Sequence, residues 1–253
     1  MAKFTFGNIT LGIDMSDLGA SDLFNYANYD GNSTSLKIYD DAKNFTLFTG
    51  DSFNYSLSDA FALTDVTGLV KGVTVKTDGS TALSATGLSV DAHSLAVTIF
   101  AGDDAGFASV LTAGSDTVIG TKYTDKLTGG AGNDRVYGAL GADHLSGGTG
   151  ADVFLFKSIK ESTVAAFDEI TDFSKAQKDK IDLTVIDANT KVSGDQVFKF
   201  MGTAAFDGKA GEVRYEKHGS SSHVFADVNG DKKADFEIVI DHVTKVTSDF
   251  FLL

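Results

Sequence analysis

Five aspartates recur at every ninth position between Leu111 and Leu155: Asp116, Asp125, Asp134, Asp143 and Asp152. Their carboxylates offer hard, charged oxygens, and a hard cation such as Ca²⁺ takes about six to eight oxygens at roughly 2.3–2.6 Å. One carboxylate per repeat is only part of such a shell, so the backbone has to supply the rest. Cut into nines the stretch reads LTAGSDTVI, GTKYTDKLT, GGAGNDRVY, GALGADHLS, GGTGADVFL. Glycines at places one, two and four allow positive φ and turn their carbonyls into a shared concavity. The eighth place is always apolar: Val118, Leu127, Val136, Leu145 and Phe154. Residues seven to nine thus read as a strand too short to stand alone, whose one inward side chain packs on the next coil. A loose Gly/Asp loop would not hold five aspartates and five apolar residues in phase.

This pattern is the glycine-rich nonapeptide of calcium-binding parallel β-helices, and the stretch closely resembles the RTX family of secreted calcium-binding repeat proteins. The resemblance implies two nonapeptides per coil. Asp116, Asp134 and Asp152 would then stack along one edge, and Asp125 and Asp143 along the other. Gly130, Gly132, Gly141, Gly148 and Gly150 would line the turns, with about three Ca²⁺ ions between successive turns. The repeats are unequal. The third and fifth keep Gly129-Gly130-x-Gly132 and Gly147-Gly148-x-Gly150, the fourth has Ala139, and the first lacks both leading glycines. The second puts Tyr123 at place four, where a bulky residue at positive φ is strained. The Asp134–Asp152 site is therefore expected to be the strongest and the Asp125–Asp143 site the weakest.

Composition narrows the partners. At 253 residues the chain can bury a sizeable core, and 35 acidic against 21 basic residues give a net charge of −14. That balance argues against nucleic acid and acidic membranes, and bound cations would relieve the self-repulsion. Cysteine and proline are both absent. Disulfides cannot staple the fold, and calcium is the substitute for an extracellular protein. No run approaches the ~20 apolar residues of a membrane span. The opening MAKFTFGNITLGIDMSDLG lacks a secretory leader, which fits the RTX resemblance because such proteins leave by type I export on a C-terminal signal.

Three segments must position the repeats: residues 1–110, the roll at 111–156 and a capping and export region at 157–253. In the first, alternating runs predict strands at 3–6, 35–39, 45–48, 53–57 and 73–77. Asp78-Gly79 predicts a two-residue hairpin. Helices are expected near 15–27, at about 90–100, and from Asp103 or Asp104 with Phe107, Val110 and Leu111 on one face. The fold class is mainly β, with an α+β N-terminal domain and a parallel β-roll capped by antiparallel strands. Gly50 to Leu111 resembles the secreted haem-carrying haemophores in outline, with G-x-x-F-x-Y-x-L, Gly68 and T-G-L at 86–88. On that outline Tyr55 falls at the haem-ligating tyrosine. No histidine precedes His93, however, and Thr64 stands where the supporting histidine belongs. A tyrosine in an alternating strand also serves as half-buried packing.

After the repeats, GADVFLF at 150–156, DEITDF at 168–173 and DKIDLTVIDAN at 179–189 resemble the C-terminal region of serralysin-type metalloproteases and their non-protease relatives. The resemblance implies antiparallel strands covering the open end of the roll, with Phe154, Phe156, Ile170, Phe173, Ile181 and Leu183 as core. Between VF at 224–225 and FEIVI at 236–240, Asp227, Asn229, Asp231 and Asp235 have a calcium-loop spacing. Lys232 and Ile238 exclude an EF-hand, leaving a hairpin-borne ion site or a solvated acidic turn. The ending SDFFLL is similar to the type I signal of an acid followed by apolar residues, and is expected to be separable from the fold.

No catalytic constellation is present: H-E-x-x-H, G-x-S-x-G and phosphate loops are all missing, and His93, His144, His218, His223 and His242 are scattered. The chain thus reads as a non-enzymatic, secreted or cell-surface calcium-binding protein with a binding or adhesive role, folding as it meets Ca²⁺ outside the cell. A haem or small-ligand carrier and a polysaccharide-associated module are the alternatives.

Overall fold

The computed structural model describes residues 2–6, 28–32, 35–39, 45–57, 63–77, 80–91 and 112–253. In the strands before residue 112 its account of side chains covers residues 48, 49, 70 and 71. Two compact units result, one formed by Met1–Thr10 and Asp14–Thr117, the other by Leu11–Ile13 and Val118–Leu253.

The first unit holds β1 (Ala2–Phe6), β2 (Asn28–Asn32), β3 (Ser35–Tyr39), β4 (Phe45–Leu57), β5 (Leu63–Thr77) and β6 (Ser80–Asp91). They pair antiparallel in the order β1-β6-β5-β4-β3-β2. Every strand expected in this half lies within one of them. The runs 45–48 and 53–57 merge into the single strand β4, whose register against β5 shifts beside Gly50, Asn54 and Ser56. Thr77 faces Ser80, the register a two-residue connection requires. The helices expected at 15–27 and from 103 lie outside the described residues, as does most of the one at 90–100. Its first two residues end β6 instead, where Val90 faces Val70 and Asp91 faces Leu69. Phe48 and Val70 are buried.

In the second unit short strands alternate between two sheets. One sheet runs β7 (Asp116–Ile119), β9 (Arg135–Tyr137), β11 (Val153–Leu155), β13 (Lys180–Asp182) and β18 (Phe251–Leu252). The other runs β8 (Lys126–Ala131), β10 (His144–Thr149) and β12 (Asp168–Ile170), then β17 (Phe236–Ile240), β16 (Ser221–Asp227), β15 (Glu212–His218) and β14 (Lys199–Phe200). Parallel register places Val136, Phe154, Ile181 and Phe251 in one inward column. Leu127, Leu145, Ile170 and Ile240 form the facing one. All eight are buried, with the remaining eighth-place residue Val118. Each apolar side chain therefore packs between its neighbours above and below, which is why three-residue strands persist.

The cap differs from the expectation in one respect. Between its strands antiparallel pairing is confined to β15–β16–β17, whereas β12–β17 and β13–β18 continue the parallel sheets of the roll. Each added strand pairs the free N–H and C=O groups of the edge strand it joins. The tail, expected to be separable, is packed into the fold. Phe250 and Phe251 are buried, Phe250 stacks on Phe173 with ring centroids 4.7 Å apart, and Leu183 N–H donates to Leu252 O at 2.9 Å. Lys175 Nζ meets Asp249 Oδ2 at 3.0 Å, and Lys180 Nζ donates to the Asp249 carbonyl.

Candidate metal centre

The sixth-place aspartates are all buried, each no more than 1% exposed. They join coil to coil. Asp125 N–H donates to Asp143 Oδ1 at 2.8 Å, and Asp134 N–H donates to Asp152 Oδ1 at 2.9 Å. The ladder then passes the last nonapeptide: Asp143 N–H donates to Asp168 Oδ1 at 2.9 Å, and Asp152 N–H to Asp179 Oδ1 at 3.0 Å. The second oxygens of Asp143, Asp152 and Asp168 are buried and accept no hydrogen bond. A buried carboxylate oxygen without a partner is costly unless a proton or a cation meets it. Burial pushes the Asp168 carboxyl up to about 8 and the Asp143 carboxyl up to about 7, against the pull of the N–H each accepts. Burial raises Asp152 and Asp179 in the same way.

The turns that face these oxygens are closed around backbone. Gly148 and Gly150 sit at φ +90° and +136°, and a β-carbon on either would collide with the carbonyl oxygen of Gly130 or Gly132 one coil below. Carbonyls of successive turns are thus stacked tightly beside the carboxylates. On the far side, Gly147 N–H and Gly148 N–H donate to the Asp172 carboxylate at 2.9 Å each. Gly150 N–H donates to Gln177 Oε1 at 2.5 Å. The loop after β12 therefore closes the last glycine turn with side chains, where a further nonapeptide would have used backbone.

Repeat two is built differently. Thr121 donates to the Asp125 carboxylate through its N–H at 2.6 Å and its hydroxyl at 3.0 Å, and Tyr123 N–H donates to Thr121 Oγ1 at 3.1 Å. Tyr123 does not adopt positive φ, so the strain expected there is absent. The left-handed non-glycine of the roll is Ala139, at φ 73°. Tyr123 still turns its carbonyl to the next coil, 2.6 Å from where a Gly141 β-carbon would lie.

Among the described residues no group of three or more His, Cys, Asp or Glu side chains gathers to hold a metal ion. The donor set of the roll is of another kind: paired carboxylates plus stacked carbonyls, all oxygen. Such a set fits a hard cation, Ca²⁺, and not a transition ion. The residues that would hold it are Asp125, Asp134, Asp143, Asp152, Asp168 and Asp179, with the carbonyls of the turns at Gly130, Gly132, Gly148 and Gly150. Asp116 opens β7 at the start of the roll, equally buried.

In the loop after β16 the structure brings Asp227, Asn229 and Asp235 together. Asp227 accepts the N–H groups of Asn229, Gly230 and Lys232 at 3.0, 2.6 and 2.9 Å. Asp235 accepts Val228 N–H at 2.9 Å and Asn229 Nδ2 at 2.7 Å. Asp231 is exposed, bonded to Lys233 N–H. These oxygens are largely engaged by the loop's own donors. Tyr55 lies in β4 within the register shift between Asn54 and Ser56, and its side chain is outside the described residues.

The profile of the family described as "Peptidase M10 serralysin C terminal" matches residues 14–252. This chain belongs to that family. Two solved structures are similar to it at a TM-score of 0.29. The AlgE6R3 subunit of the mannuronan C5-epimerase from Azotobacter vinelandii shares 23% identity over 56% of this chain and 79% of its own. The AlgE6R2 subunit of the same enzyme shares 21% over 56% of this chain and 92% of its own. No curated protein matches.

In this serralysin C-terminal chain, Asp168, Asp172 and Asp179 escaped the repeat count because no glycine turn precedes them. A signal was nevertheless present. Asp168-x-Ile170 and Asp179-x-Ile181 repeat the sixth- and eighth-place spacing of the nonapeptide, each with Asp at the ladder and Ile in an inward column.

Proposed function

We propose that this chain is a calcium-binding β-roll of a secreted protein, one that folds when it meets extracellular Ca²⁺ and has a binding or surface-adhesive role without catalysis. The observation that carries the reading is the row of buried, unbonded Oδ2 atoms on Asp143, Asp152 and Asp168 beside stacked glycine carbonyls. Bound Ca²⁺ would supply the positive charge that these stacks lack. The protein's own part is geometric. The inward columns set the coil spacing, the glycines admit the carbonyls, and the aspartate N–H groups hold each carboxylate of the next coil in place. Without the ion, like charges buried side by side oppose the fold, so binding free energy becomes folding free energy. Export by type I machinery in the unfolded state, and residence outside the cell or on its surface, agree with the serralysin C-terminal family and with a tail that is locked away only once folded.

The test is circular dichroism with a parallel Ca²⁺ titration of the whole chain. A cooperative gain of β-structure on leaving chelator, with Mg²⁺ unable to substitute, is the expected result. A chain fully folded in chelator that takes up no Ca²⁺ would overturn the proposal.

A further inference from the structure

The outward face of the β15–β16–β17 sheet carries ligating side chains that the roll does not use. Register places Glu216 opposite His223, Arg214 opposite Phe225, and Phe225 opposite Glu237, so these five share one face, and alternation along β15 adds His218. The other face, with Val213, Val224, Ala226, Phe236 and Ile238, is core. Glu237 is only 5% exposed, and its Oε1 lies 2.7 Å from His223 Nδ1. The His218 ring stands 4.3 Å from the His223 ring, centroid to centroid. Its Nε2 lies 3.3 Å from Glu216 Oε2, and Glu216 is held in turn by Arg214 Nη1 at 2.7 Å.

A carboxylate only accepts, so each imidazole spends an N–H on its glutamate. That leaves a lone pair on His223 Nε2 and another on His218 Nδ1, on adjacent rings. We propose that His218 and His223 form a two-imidazole site for a borderline divalent transition ion of the Cu²⁺, Ni²⁺ or Zn²⁺ class. An imidazole whose second nitrogen is held by a carboxylate is the usual form of a metal-ligating histidine, the partner fixing tautomer and ring orientation. Packing accounts for His223, whose Nδ1 pairs with buried Glu237. It does not account for His218, whose side chain is 53% exposed and which nevertheless lies against His223 with the rings tilted by 43° and is held by a carboxylate of its own. With no third side-chain ligand gathered among the described residues, water completes the shell, and the ion is exchangeable rather than structural. Nitrogen donors make this site blind to Ca²⁺, so it is chemically separate from the all-oxygen stacks of the roll.

The experiment titrates Ni²⁺, and then Cu²⁺ and Zn²⁺, into the Ca²⁺-saturated full chain, following heat and the histidine ring signals by NMR. The expected result is one ion per chain, affinity greatest for Cu²⁺, and broadening confined to His218 and His223. His218→Ala should weaken binding about tenfold or more without touching the fold. Glu237→Gln should weaken it about tenfold by freeing His223 Nδ1. Absence of binding, binding unchanged in His218→Ala, or displacement of Ni²⁺ by excess Ca²⁺ would each overturn the proposal, the last by placing the ion in the carboxylate stacks.

Discussion

Asp143 accepts the backbone N–H of Asp125 at 2.8 Å and gives its own N–H to Asp168 at 2.9 Å, although Asp168 lies 25 residues further along the chain. One buried carboxylate is thereby held in register by a repeat on one side and by non-repetitive sequence on the other. The candidate ion sites extend beyond the stretch that advertises them.

Asp168→Asn tests that extension. The amide keeps an oxygen for the Asp143 N–H but removes the charge. In chelator the variant should show at least as much β-structure as the parent, because a buried carboxylate without a counter-charge has gone. Its Ca²⁺ midpoint for folding should rise by about tenfold or more. An unchanged midpoint by circular dichroism would confine the ions to the nonapeptides.

The sites should also rank. Asp152→Ala is expected to raise the Ca²⁺ midpoint well beyond Asp125→Ala, because the Asp125 carboxylate is already occupied by Thr121. Equal shifts in the two titrations would remove that ordering.

Proton linkage gives a third check. Burial pushes the Asp143 and Asp168 carboxyls up to about 7 and about 8 in the fold, against about 4 for an unfolded carboxyl. The calcium-free fold therefore binds protons more tightly than the unfolded chain. Its stability is full below the unfolded value and is lost as pH rises through the folded values. In chelator, β-structure followed by circular dichroism should therefore be gained as pH falls from about 8.5 to about 5. Saturating Ca²⁺ should flatten that slope.

Phe251→Ala should cost about 3–5 kcal/mol, the usual range for emptying a buried aromatic site. Removing residues 249–253 should do more, since Phe173 and Phe200 lose Phe250 and Phe251 as partners. A truncated chain with the parental melting curve would mean that the tail is dispensable to the fold.

The loop after β16 separates an ion site from a turn. Asp227→Ala strips three N–H groups of their acceptor and should cost about 2–4 kcal/mol. Asp231→Ala should stay within about 0.5 kcal/mol and leave the number of bound Ca²⁺ ions, by equilibrium dialysis, unchanged. A count lower by one would make the loop a ligand.

The sequence showed the roll because Asp and an apolar residue keep phase over five repeats, and phase is a one-dimensional signal. It showed most N-terminal strands by alternation, but extended a helix over Val90 because a short apolar run has no period of its own. Asp168 and Asp179 were hidden by variable loops in front of them, although the triplet that matters was intact. Tyr123 was misjudged for a different reason. Strain was inferred from a repeat place, whereas Thr121 rebuilds the turn so that the place no longer has its left-handed shape. The Glu237–His223 pair had no local signal, since fourteen residues separate them and only the hairpin register brings them together.

The ladder counts coils and not residues. Between successive rungs the chain spends 18 residues inside the repeats, then 25 along one edge and 27 along the other, and the inward columns do not register the difference. Length is absorbed wherever a turn leaves the roll and returns, provided that an Asp-x-apolar triplet lands at the end. The roll is accordingly a scaffold with graft points: a foreign segment spliced in ahead of such a triplet would be displayed at the turn, while the columns beneath it kept their spacing.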